Sequence, residues 1–136
     1  MNVLIVDSEA FLAELVSLAL EAEGHSSLVV ASVVQASEIL LALRVDLLLL
    51  DLSSAGNDPL SWLEETILAH ADLQGRVFVL NDRHLSLDAS ARLLACGARV
   101  LEKPVTLAQI LETVGAIVPI GTPRMDPLLP EPSIEA

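Results

Sequence analysis

Asp46-Leu47-Leu48-Leu49-Leu50-Asp51 places four consecutive leucines between two carboxylates. The run does not alternate, so both faces of the segment must be apolar. A central strand of a parallel sheet, covered by helices on either side, has this composition. Shorter runs of the same kind stand on both sides of it. Val3-Leu4-Ile5-Val6 ends at Asp7, Val77-Phe78-Val79-Leu80 ends at Asn81, and Val100-Leu101 precedes Lys103-Pro104. Leu28-Val29-Val30 completes a set of five.

Helical patterns fill the intervals. From Glu9 to Glu23, Leu12, Leu15, Ala19 and Ala22 recur at helical spacing, with Ser8 as the expected N-cap and Gly24 as the stop. Ser32 and Gln35 form an S-x-x-Q box that opens a second helix with Ile39, Leu40 and Leu43 on its inner face. Asp58-Pro59 reads as a cap and first-turn proline for a helix to about His70, with Leu60, Leu63 and Ile67 inward. A fourth helix is expected from about Leu85 to Gly97. The last begins at Thr106, where Gln109 closes a second capping box and Val105 and Ile110 can pack as a staple. Strands alternating with helices predict an α/β fold: a doubly wound, five-stranded parallel sheet with helices on both faces. Ligands in such folds sit beyond the carboxyl ends of the strands. Asp7, Asp51, Asn81 and Lys103 should therefore share one rim.

Composition narrows the function. With 7 Lys and Arg against 19 Asp and Glu, the formal net charge is −12. That excludes the clustered cations needed to neutralise nucleic-acid phosphates or an anionic membrane surface. The apolar stretch from Leu28 to Leu43 is interrupted by Ser32, Gln35, Ser37 and Glu38 and is no membrane span. No basic segment leads into an apolar run at the N-terminus, and the single cysteine, Cys96, cannot form an intrachain disulfide. Both suit a cytoplasmic protein. Cys96 lies in a helical apolar pattern and reads as a small buried hydrophobe. His25, His70 and His84 lack ligand spacing, and Trp62, beside Leu63, is expected to be partly buried. From Pro119 onward prolines accumulate and periodicity stops. The domain is thus expected over residues 1–118, with a Pro-rich tail over 119–136.

The ordered set at the rim resembles the response-regulator receiver domains of bacterial two-component signalling. Val3-Leu4-Ile5-Val6-Asp7-Ser8-Glu9 resembles their acidic opening. Asp46 to Leu52 resembles the strand that delivers the phosphorylated aspartate, Ser54-Ala55-Gly56 their Met-Pro-Gly-like turn, and Leu101-Glu102-Lys103-Pro104 their lysine before proline. The spacings agree too: Asp51 lies 44 residues after Asp7, Asn81 lies 30 after Asp51, and Lys103 lies 22 after Asn81. The resemblance implies a non-enzymatic phosphorelay module. Asp51 would accept a phosphoryl group from a histidine kinase or phosphotransfer protein. Mg²⁺ would be held by Asp7, Asp51 and the main-chain carbonyl of Ser53. Lys103 would pair with the product, and a downstream partner or homodimer would engage the fourth helix, fifth strand and fifth helix. Arg83, His84, Arg92 and Arg99 would form a basic cluster there if they share a face.

Three positions depart from the pattern. Ser8 stands where the family has a second aspartate, which weakens the metal site unless Glu9 compensates. Asn81 replaces the Ser or Thr that contacts the phosphoryl group. Val100 occupies the position of a switching aromatic and is too short and stiff to swing. Two alternatives stay open: a receiver that switches through other contacts, or a degenerate receiver that binds a partner independently of phosphorylation. An aspartate-nucleophile phosphatase would need an acid two residues after Asp51, where Ser53 stands. Flavin binding would need a phosphate cradle where Asp7-Ser8-Glu9 would repel one.

Overall fold

The structure, a computed structural model, describes residues 1–117. Five strands alternate with five α-helices: β1 Asn2–Val6, α1 Ala10–Ala22, β2 Ser26–Val30, α2 Val33–Ala42, β3 Leu47–Asp51, α3 Pro59–Ala69, β4 Val77–Asn81, α4 Leu87–Ala95, β5 Arg99–Glu102 and α5 Leu107–Gly115. All strand pairs are parallel, in the order β2-β1-β3-β4-β5. This is the doubly wound arrangement that the apolar runs predict. The expected tail, and the expected boundary at residue 118, lie outside the described residues.

The leucines of β3 explain why the sheet is central. Leu48 and Leu50 pack with Leu4, Val6, Val77 and Val79 under α2, α3 and α4, through Ala36, Leu40, Leu63, Ile67 and Leu93. Leu47 and Leu49 pack with Val3, Ile5 and Phe78 under α1 and α5, through Ala13, Leu20, Ile110 and Val114. Each leucine of the run is essentially inaccessible to water. Each contributes about 1.5–3 kcal/mol of burial relative to an exposed position.

The helix ends follow local chemistry in most places. Asp58 accepts the Ser61 N–H at 3.2 Å ahead of Pro59. Thr106 and Gln109 form the complete reciprocal box. Gly24 and Gly97 adopt positive φ where α1 and α4 stop. Ser86, not Leu85, borders α4, and its hydroxyl accepts the Ala89 N–H. Trp62 is partly buried and donates its indole N–H to Ser37, tying α3 to α2. Cys96 is only partly buried and packs against the α2–α4 side of the core.

Several local expectations are corrected. Ser8 does not cap α1. Glu9 occupies that position without a side-chain bond, and the Asp7 carboxylate takes the Glu9 N–H at 2.9 Å instead. The buried stripe of α1 is Ala13, Ser17 and Leu20, while Leu12 and Leu15 are exposed. The helix is apolar almost all round, so periodicity alone leaves its phase undetermined. In α2, Ser32 accepts the Gln35 N–H, but the Gln35 side chain bonds the Ala31 N–H, so the box is displaced by one residue. Leu43 is exposed at the end of α2, where the chain has already turned extended. The four basic residues do not gather on one face. Arg92 forms a two-pronged ion pair with Glu64 of α3, at 2.7 and 3.0 Å. Arg99 lies over the Phe78 ring on the α1–α5 side.

Candidate phosphoacceptor site

Register brings the rim together. Val6 pairs with Leu50, so Asp7 follows β1 alongside Asp51 at the end of β3; Asn81 pairs with Glu102, one residue before Lys103. Alternation along the strands then sorts the side chains. Asp7, Asp51 and Lys103 continue the rows of Val3 and Ile5, Leu47 and Leu49, and Leu101, all of which face α1 and α5. Asn81 continues the row of Val77 and Val79, which faces the other helices.

Asp51 is 2% exposed, and both of its carboxylate oxygens accept hydrogen bonds. Its Oδ1 accepts from the Lys103 Nζ at 2.8 Å. Its Oδ2 accepts from the hydroxyls of Ser53 at 3.0 Å and Ser54 at 2.7 Å. Burial alone would raise the Asp51 pKa. The bonds from Lys103, Ser54 and Ser53, with the ammonium charge, outweigh burial and hold it below the ordinary carboxylate range. Asp7 goes the other way. Burial pushes its carboxyl up, the Glu9 N–H offsets part of this, and the neighbouring Asp51 charge pushes it up again. Lys103 is held above its ordinary value: burial works against its charge, but Asp51, through both bond and charge, and the charges of Asp82 and Asp7 prevail.

Ser54 is the residue whose role the sequence did not disclose. A hydroxyl has one hydrogen, and that of Ser54 goes to Asp51. Ser54 Oγ must then be the acceptor toward Ser8, from the main-chain N–H at 2.9 Å and from the Ser8 hydroxyl at 3.0 Å. A chain of donors therefore runs from Ser8 through Ser54 to Asp51. Two adjacent hydroxyls after a strand-end aspartate were the available signal, but the segment reads in sequence only as a turn.

Asp7, Glu9 and Asp51 each offer a carboxylate oxygen within 4.8 Å of the others. No histidine joins them, and no second such group occurs among the described residues. Hard oxygen donors are what Mg²⁺ takes, and ligands on opposite sides of an octahedral Mg²⁺ lie about 4.2 Å apart. The trio therefore fits the ion in chemistry and, with a small contraction, in reach. Glu9 thus stands with Asp7 and Asp51 at the rim, whereas Ser8 carries no charge.

Asn81 shares the rim, but its amide is engaged elsewhere. It donates to the Arg83 carbonyl at 2.6 Å and to Glu102 at 3.2 Å, and it accepts the Arg83 N–H at 3.2 Å. Val100 is packed against the α2–α4 side of the core.

No family model and no curated protein matches the sequence. Solved structures do. A response regulator receiver domain protein (CheY-like) from Methanospirillum hungatei JF-1 superposes with a TM-score of 0.74 at 22% identity, covering 85% of this chain and 90% of that one. The Vibrio cholerae chemotaxis protein CheY4 gives 0.73 at 19%, over 86% and 98%. A response regulator from Thermotoga maritima gives 0.71 at 24%, over 85% and 94%. The chain has the receiver fold.

Proposed function

We propose that this chain is a receiver module of two-component signalling that accepts a phosphoryl group on Asp51 from a phosphohistidine of a sensor kinase or phosphotransfer protein. One observation carries the reading: a buried aspartate at the end of the central strand is paired with Lys103 at 2.8 Å, with the Asp7 and Glu9 carboxylates beside it. The Asp51 oxygen attacks phosphorus, an O–P bond forms, and the bond to the donor breaks with its electron pair leaving on the donor. The Lys103 ammonium stays close enough to balance charge on the product. Asp7, Glu9, Asp51 and the Ser53 carbonyl would hold Mg²⁺. When bound, the ion supplies the charge neutralisation that lets a carboxylate approach an anionic phosphoryl group.

The donor must reach this rim. Phe11, Leu12 and Leu15, exposed on the first turns of α1, offer apolar surface beside it for a protein to cover. Output belongs to a protein partner or second copy on α4, β5 and α5, where Leu87 and Leu94 of α4 and Leu107 of α5 stand exposed. No helix among the described residues is long and apolar enough to cross a membrane, and we place the module in the cytoplasm, where kinase donors are found. The test is intact mass after incubation with acetyl phosphate and Mg²⁺. The parent should gain one phosphoryl group and Asp51→Asn none. No gain across a range of Mg²⁺ would favour a phosphorylation-independent binding module.

A further inference from the structure

Modification of Asp51 must be felt by whatever holds its oxygens. Lys103 holds Oδ1, and Ser53 and Ser54 hold Oδ2. Transfer from an acyl phosphate converts the carboxylate into a mixed anhydride. One new O–P bond forms, the donor's P–O bond breaks, and the donor leaves as a carboxylate. Asp51 thereby loses its own negative charge, and the Ser54 hydroxyl loses an anionic acceptor. The dianionic phosphoryl group becomes the stronger acceptor nearby, and the Ser54 side chain can follow it by turning about its Cα–Cβ bond, which carries Oγ with it.

Ser54 cannot turn without consequence, because its oxygen accepts both the Ser8 N–H and the Ser8 hydroxyl. Ser8 lies between Asp7 and Glu9, the residue that caps α1. The other end of the rim is insulated. Both Asn81 amide hydrogens and its carbonyl are engaged by Arg83 and Glu102, and its row faces away from Asp51. Val100 has no ring to move. We propose that Ser54 is the positioning residue that senses the state of Asp51 and passes it to Ser8 and the start of α1, not to the end of β4. This inference rests on Asp51 being the acceptor.

Two amides report on the two routes. The Ser8 N–H is bonded to Ser54, and the Arg83 N–H is bonded to Asn81. Amide exchange is measured by NMR on the full chain before and after acetyl phosphate and Mg²⁺, with intact mass recorded on the same samples. On modification, exchange at Ser8 should accelerate about fivefold, the loss of one hydrogen bond, while Arg83 stays unchanged. Ser54→Ala should show the fast Ser8 exchange before modification and no further response. Ser54→Thr, which keeps the hydroxyl, should restore the parent's behaviour. A modified parent in which Arg83 responds and Ser8 does not, or in which neither responds, would overturn the inference. A parent that gains no mass would overturn the acceptor reading itself, and the inference with it.

Discussion

Position 8 separates this rim from the pattern it otherwise follows. A serine there contributes no charge, yet it supports Ser54, which in turn bonds Asp51. Replacing it with aspartate adds a carboxylate beside Asp7, Glu9 and Asp51. The metal-free protein should melt lower, because like charges crowd at one rim and Ser54 loses the Ser8 hydroxyl. Mg²⁺ binds the native state and should return that stability. A tenfold gain in affinity corresponds to about 1.4 kcal/mol at saturating metal, several degrees for a domain of this size. Thermal melts of parent and Ser8→Asp, each with and without Mg²⁺, should show the larger metal-induced rise in the mutant. Equal rises would mean that position 8 does not face the metal pocket. The residue scale is also where sequence reading stops. Asp7, Asp51 and Lys103 were legible because strand ends in a parallel sheet are predictable places. The Ser54 bonds, the turn of Glu9 toward Asp7 and Asp51, and the engagement of Asn81 by Arg83 depend on loop paths that no periodicity encodes.

Elements were legible in proportion to how one-sided they are. β3 is apolar on both faces and could be only a central strand. α5 has a complete capping box and a clear apolar stripe. By contrast, α1 carries apolar residues around its circumference, so Leu12 and Leu15 compete in the sequence pattern with Ala13 and Leu20, which are the ones buried. Helix ends give a sharper test. Gly24 and Gly97 both terminate helices at positive φ, but their surroundings differ. A Cβ at Gly24 meets nothing, whereas one at Gly97 comes within 2.4 Å of the Gln74 Nε2. That nitrogen donates to the Cys96 carbonyl at 3.1 Å. Gln74 can swing aside, but only by giving up the bond. Gly97→Ala should therefore cost about 1 kcal/mol more than Gly24→Ala in denaturant unfolding. In a Gln74→Ala background the difference should disappear. Equal losses in the parent background would show that Gln74 does not constrain the turn.

At the scale of the whole molecule, sheet order and charge act together. The order β2-β1-β3-β4-β5 puts the topological switch between β1 and β3, and Asp7 and Asp51 stand at its two sides. The chain as a whole is strongly acidic, with 19 acidic residues against 7 basic. Arg92 and Arg99, on opposite sides of the sheet, make no basic patch together. Duplex DNA of any sequence should be repelled at moderate salt. Tight, salt-sensitive binding in a filter or anisotropy assay would contradict an output that runs through proteins. The central claim is narrower: of the oxygen nucleophiles crowded at the rim, the Asp51 carboxylate, and neither Ser53 nor Ser54, carries the phosphoryl group. An acyl phosphate is reduced by borohydride to an alcohol, whereas a serine phosphate is not. After phosphorylation, borohydride treatment and proteolysis, tandem mass spectrometry should find homoserine in place of aspartate at position 51. Phosphate retained on Ser53 or Ser54, with residue 51 unchanged, would contradict the account.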